Sequence, residues 1–172
     1  MSQNDRTYGK PNPRAPRELS RFSFLIGQWR CDAKVKQPDG KWLTYQAAWL
    51  GRFILDGYAI ADEYRMMDTS GALVVLGMNF RAYDPAEQTW NIKWLDALKG
   101  TWTDLGLEEL GGVKFDTRSV VYAFKEPMAP HAYTRVTYTV LSDTHFRWQG
   151  DASDDGDQWR EFMVVDAYRR EE

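Results

Sequence analysis

The feature that most constrains this 172-residue chain is how regularly it turns. From Gln28 onward, short segments with the two-residue period of strands are separated by turn-forming clusters. These are Pro38-Asp39-Gly40, Thr69-Ser70-Gly71, Asp84-Pro85, Gly111-Gly112, Ser142-Asp143 and Asp154-Asp155-Gly156. Ten strands are expected, over residues 28–36, 41–53, 54–66, 72–83, 89–96, 100–105, 114–124, 131–141, 144–150 and 158–168. The gaps are too short for parallel crossovers, so successive strands should pair as antiparallel hairpins. A single short helix is expected over 17–25, where Leu19, Phe22 and Leu25 recur three apart and Gly27 follows as a stop. A long meander with one helix favours an all-β, antiparallel up-and-down barrel, because closure removes exposed strand edges. Residues 1–17, with Pro11, Pro13 and Pro16, read as a flexible arm, and 18–170 as one barrel domain.

Composition narrows the function. The 22 basic residues do not exceed the 25 acidic ones, which leaves nothing to drive binding to nucleic acid. No run approaches the ~18 apolar residues of a membrane helix, and the polar N-terminus is neither a secretory signal nor an anchor. Cys31 stands alone, which suits a reducing, cytoplasmic setting. Aromatic residues are abundant, with 8 Trp, 9 Tyr and 8 Phe. Trp90, Ile92 and Trp94 share one strand face, as do Val120, Tyr122 and Phe124, and Phe146 and Trp148. Such rings either fill a small barrel or line a cavity for an apolar or aromatic guest. Trp94 and Trp148 are the rings chosen as ligand contacts.

Polar groups among these rings would orient a guest. On 54–66 the face with Tyr58, Ile60, Asp62, Tyr64 and Met66 is the more apolar, which turns Asp62 inward if that face points into the barrel and demands a partner for it. The next strand offers Asn79 and Arg81. A two-residue Ser70-Gly71 loop sets Asp62 opposite Asn79 with Arg81 inward, whereas a three-residue loop sets Met78 there and turns Arg81 outward. Periodicity leaves both open, since 72–80 is apolar on both faces. With Arg81 inward, Asp62 and Arg81 form either a structural ion pair or, with Tyr64 and Asn79, the polar end of a binding site.

Other chemistry has less support. His131 follows Pro130 at the start of a strand, and His145 alternates with Phe146 and Trp148 and so should face outward. Asp151 to Asp157 carries oxygen ligands and a glycine at EF-hand spacing, but Phe162 stands where the bidentate glutamate would be, so a hairpin turn is the better account. Cys31 has no histidine base in view, and no nucleophile elbow or phosphate loop is present. No metal or cofactor is required.

Several motifs carry a resemblance. Gly27-Gln28-Trp29 follows a short helix and opens the first strand, as in lipocalins and the wider calycin superfamily. Together with Ile54 to Ile60, Arg81-Ala82-Tyr83-Asp84-Pro85 and Ser153 to Arg160, it resembles bacterial calycin-like proteins of the domain-of-unknown-function 1579 type, from about Leu19 to Arg169. The resemblance implies that Trp29 plugs one barrel end beneath a stacked Arg169 or Arg170. It also brings in nitrobindin-like haem proteins, whose axial histidine lies on a late strand; His145 is the nearer candidate here, though its expected orientation is outward. The leading expectation is a barrel that binds a small apolar or aromatic molecule. An isomerase, cyclase or hydro-lyase is the alternative, with Asp62 or Tyr64 moving a proton and Arg81 stabilising negative charge. An assembly role, as a homodimer or a scaffold, is the third.

Overall fold

The computed structural model describes residues 3–126 and 130–171. The strands are β1 (Gly27–Lys36), β2 (Trp42–Ile54), β3 (Ala59–Met67), β4 (Leu73–Asp84), β5 (Thr89–Asp96), β6 (Thr101–Leu105), β7 (Lys114–Phe115), β8 (Ser119–Lys125), β9 (Tyr133–Ser142), β10 (His145–Ser153) and β11 (Arg160–Arg169). They form one antiparallel sheet in the order β6-β5-β4-β3-β2-β1-β11-β10-β9-β8-β7. Pairing of β1 with β11 joins the first strand to the last, and the sheet curls until its edges meet. There, just past β6, the Leu107 N–H donates to the Ala123 carbonyl of β8 at 3.2 Å. The expected barrel is therefore a curled sheet whose seam lacks a continuous ladder.

Two strand expectations need correction. The strand expected at 54–66 starts only at Ala59, because Leu55 and Asp56 take left-handed backbone angles in a tight turn. The strand expected at 114–124 is split into β7 and β8 by a turn in which the Asp116 N–H donates to the Ser119 carbonyl. That turn contains neither Gly nor Pro, so it left no mark in the sequence. The count rises from ten to eleven.

The proline-rich stretch expected as a loose arm holds more structure than its composition suggests. Residues 1 and 2 lie outside the described residues, but Gln3–Tyr8 form a helical segment, α1. Asn12 then ties the stretch to the β2–β3 turn through its backbone N–H to the Gly57 carbonyl (3.1 Å) and its side-chain amide to the Asp56 carbonyl (3.0 Å).

One end of the barrel is closed by the 3₁₀ helix Arg17–Leu25, with Leu19, Phe22 and Leu25 buried as their spacing predicted. Trp29 sits just above and donates its indole N–H to the Leu25 carbonyl at 3.0 Å. Of the two arginines considered, Arg169 takes the stacking position, its guanidinium carbon 4.2 Å from the centre of the Trp29 ring. It also donates to the carbonyls of Ile26 and Asp143, so the stack is fixed by directional bonds as well as by the cation–π attraction. The plug approaches the wall because β2 has a glycine at the crossing: a Cβ on Gly51 would lie 2.1 Å from the Leu25 carbonyl oxygen. That contact is with backbone and cannot relax by a side-chain rotation. Gly51→Ala is therefore expected to cost about 1–3 kcal/mol, seen as a lower urea midpoint at unchanged m-value.

Candidate functional site

Above the plug, the barrel interior is crossed by a polar cluster centred on Asp62 of β3. Its Oδ1 accepts from Arg81 Nε at 2.7 Å. Its Oδ2 accepts from Asn79 Nδ2 (2.8 Å), Trp49 Nε1 (3.0 Å) and Arg81 Nη2 (3.3 Å). Arg81 continues to the Tyr138 hydroxyl at 2.9 Å and the Tyr122 hydroxyl at 3.5 Å, and its guanidinium lies 4.5 Å from the Phe22 ring centre. Asp62 and Arg81 are both fully buried. Burial alone would lower the Arg81 pKa, but the Asp62 charge and then the two phenols outweigh it and hold the guanidinium protonated. Burial likewise keeps Tyr138 neutral, so its hydroxyl can serve as acceptor for Arg81.

This cluster depends on register, and the register arises in an unforeseen way. The β3–β4 turn is the three-residue kind, Thr69 to Gly71, closed by the Asp68 N–H to the Ala72 carbonyl and capped by the Asp68 carboxylate. Alone it would set Asp62 opposite Met78. A bulge restores the other alignment: Met67 pairs with Leu73 but Met66 with Val75, leaving Val74 without an opposite residue. Asp62 therefore faces Asn79, and Arg81 points inward opposite Ile60.

Along several strands burial falls at the inward positions towards the hairpin tips at the other end, whereas Met66 of β3, Thr134 of β9 and Ala152 of β10 stay buried there. On β2, Trp49 is 4% exposed, Ala47 5%, Tyr45 half-buried and Leu43 48%. The same passage from buried to half-buried runs from Ala33 to Val35, Ile92 to Trp94, Tyr122 to Phe124, Phe146 to Trp148 and Val165 to Met163. The interior is thus packed at the plug and looser over part of the other end, a shallow cup on the side of β1, β2, β5, β8 and β11 with the Asp62–Arg81 cluster below it. Of the alternatives considered, Asp62 and Arg81 form the ion pair, each satisfying the other.

Trp94 and Trp148 stand on the cup wall. Each leans over a glycine: a Cβ on Gly77 would meet Trp94 Cζ2 at 2.3 Å, and one on Gly150 would meet Trp148 Cη2 at 2.7 Å. The two indoles therefore lie back towards the mouth. Trp90, in contrast, belongs to the core, packed on Phe22, Tyr83 and Phe115. Among the described residues, neither Trp94 nor Trp148 has a ring or hydrogen-bond partner. Tyr64, paired with Trp49 and Gly77, is buried with a hydroxyl that has no partner among the described residues. Leaving such a group unsatisfied costs about 1–3 kcal/mol. Burial, with a smaller push from nearby Cys31, raises its pKa and keeps it a neutral donor.

The remaining candidates sit elsewhere. His145 is on the outer face, bonded to Asp166 at 2.8 Å and stacked 4.4 Å from the Tyr168 ring centre. His131, in the loop before β9, shares a hydrogen bond with the Thr134 hydroxyl. The Asp151 to Asp157 stretch is a hairpin: Asp155 accepts from the N–H groups of Asp157 and Gln158, while Asp151 pairs with Arg135. Outside the barrel, a cleft of about 770 Å³ opens at the plugged end beside Tyr8, Lys10, Phe53 and Arg170. Tyr122, Tyr138 and Phe22 were missed as members of the polar cluster. Strand alternation could place the two tyrosines inward, but no local rule ties them to an arginine 41 and 57 residues away.

Two outcomes follow. Arg81→Met strands a buried carboxylate and should cost ~3–5 kcal/mol in urea unfolding. Burial pushes the Cys31 thiol up to about 12, with Asp32 adding to the shift. A disulfide reagent at pH 8 should therefore leave native Cys31 unreacted and label it on unfolding.

Comparison with known proteins sets this geometry in context. None of the curated proteins matches the chain by sequence. The crystal structure of Rv2717c from M. tuberculosis is similar over 91% of this chain and 99% of its own, with a TM-score of 0.63 at 8% identity. The S-type phycobiliprotein lyase CPES from Guillardia theta is similar over 89% and 92%, with a TM-score of 0.57 at 10% identity. At these identities the likeness is one of fold. The family described as "Protein of unknown function (DUF1579)" matches residues 14–170, from the start of the plug through the last strand, and the chain belongs to that family.

Proposed function

We propose that this protein binds a small, flat, mostly apolar molecule in the open end of its barrel. The observation that carries the reading is the pair of half-buried indoles, Trp94 and Trp148, that have no ring partner among the described residues. Every other interior indole is engaged: Trp29 meets Phe146 edge to face, Trp49 bonds Asp62, and Trp90 packs on Phe22. Aromatic rings presented on an open wall suit the flat face of a guest. Val35, Tyr45, Val75, Phe124 and Met163 supply the rest of an apolar lining. Asp62, Asn79 and Arg81 serve as a rigid base and do not themselves touch the guest. That the phycobiliprotein lyase shares this fold is compatible with a barrel that handles a flat molecule. An acid–base role for Asp62 has less support, since both its oxygens already accept hydrogen bonds from buried donors.

N-phenyl-1-naphthylamine, a neutral apolar dye that brightens on leaving water, provides the test. Saturable binding to the wild type is expected, weakened about fivefold to tenfold by Trp94→Ala and by Trp148→Ala, the range expected for loss of one ring contact. Lys10→Ala, in the cleft at the plugged end, should leave it unchanged. Absence of saturable binding, or loss only in the Lys10 variant, overturns the proposal.

A further inference from the structure

The cleft of about 770 Å³ at the plugged end is made by stretches far apart in the chain: the arm from Tyr8 to Pro11, Phe53 near the end of β2, and Arg169 and Arg170 at the end of β11. Close backbone approaches set its walls. A Cβ on Gly9 would lie 2.7 Å from the Phe53 carbonyl oxygen, and one on Gly57 would lie 2.3 Å from that of Lys10, so the arm is seated directly on β2 and the turn after it. A Cβ on Gly27 would lie 2.5 Å from Arg169 Nη1, so the guanidinium rests against bare backbone. Its plane is fixed by the Trp29 ring, its Nε by the Asp143 carbonyl and its Nη1 by the Ile26 carbonyl. Nη2 has no hydrogen-bond partner among the described residues.

The charges on this lining are unequal. Lys10, Arg169 and Arg170 all line the cleft, and none of them forms an ion pair within the described residues. Two carboxylates, Asp5 and Glu171, share the lining and leave it net positive. Burial lowers the Arg169 pKa, and the nearby Tyr8 phenol and Asp143 charge offset that only in part. A cation partly withdrawn from water and held rigid by neutral carbonyls is pre-organised for an anion, because the cost of orienting it is already met by the fold. Ile26 and Phe53, both half-buried, supply apolar surface in the same cleft.

We propose that this cleft is a second binding site, for a small carboxylate with an apolar body: Arg169, with Lys10 and Arg170, holds the carboxylate, and the body lies against Ile26 and Phe53. The planar guanidinium matches a planar oxyanion, which a neutral oxygen or an amine does not replace. No proton moves and no bond is made or broken. The site is separate from the cup, since the plug and the Asp62–Arg81 cluster lie between them.

2-Naphthoate and 2-naphthamide, alike in shape and different in charge, provide the test. Each is titrated while the Trp29 indole N–H is followed in nitrogen–proton correlation spectra; that group lies under Arg169, so a molecule in the cup is not counted. At this resonance the naphthoate should bind about tenfold more tightly than the amide at low ionic strength, and the preference should shrink as salt is added. Arg169 is left intact because its loss would also loosen the plug. Lys10→Ala and Arg170→Ala, both at exposed positions, should each weaken the naphthoate about threefold and together about tenfold, with the melting temperature of the free protein unchanged. Trp94→Ala should leave the Trp29 titration as it was. A Trp29 resonance that does not respond to naphthoate, equal affinity for the two probes, full affinity in the double variant, or loss of the response in Trp94→Ala each overturns the inference.

Discussion

The Asp62–Arg81 pair is the constraint around which the rest of the interior is arranged. Two charges removed from water lose several kcal/mol of hydration each, and only close, fully bonded geometry offsets that loss. The chain meets the requirement with groups from four strands and the plug: Trp49, Asn79, Tyr122, Tyr138 and the face of Phe22. Each must be in place for the pair to be tolerated, so the pair ties opposite walls of the barrel and its lid into one unit. In a barrel whose seam between β6 and β8 lacks a continuous ladder, this cross-wall bonding supplies part of the closure that backbone hydrogen bonds would otherwise provide.

The same arrangement divides the interior into two regimes. Below the ion pair, rings pack edge to face, as Phe22 does on Trp90 and Trp29 on Phe146. Above it, inward side chains of several strands are progressively exposed, and two tryptophans rest over glycines, Trp148 with the Phe162 ring beside it. The aromatic surplus in the composition thus serves two purposes at once. Part of it is ordinary core, and part is a wall left available.

Much of the architecture was legible from local chemistry. Turn clusters located most hairpins, alternation assigned the inner faces of β5, β8 and β10, and the three-residue spacing of Leu19, Phe22 and Leu25 revealed the plug. What escaped was nonlocal or lacked the usual markers. The Asp116–Ser119 turn has no Gly or Pro, and the left-handed Leu55 and Asp56 are unusual choices for such a backbone. The need of Asp62 for a partner could be read from burial, and so could the candidacy of Arg81. The role of Tyr138 could not, since it arises only when the sheet curls. Tyr64 was recognisable as inward, but its lack of a partner is a property of the assembled neighbours and of no single strand.

The bulge at Val74 shows how little separates two different proteins. Val74 has no chemistry of its own, yet it acts as a spacer one residue thick that offsets the turn against the ladder. Without that offset, every side chain of β4 would exchange inside for outside, a cation would be delivered to solvent and a thioether to the centre. The identity of the barrel's contents is therefore encoded as much by the parity of a chain segment as by which amino acids it contains.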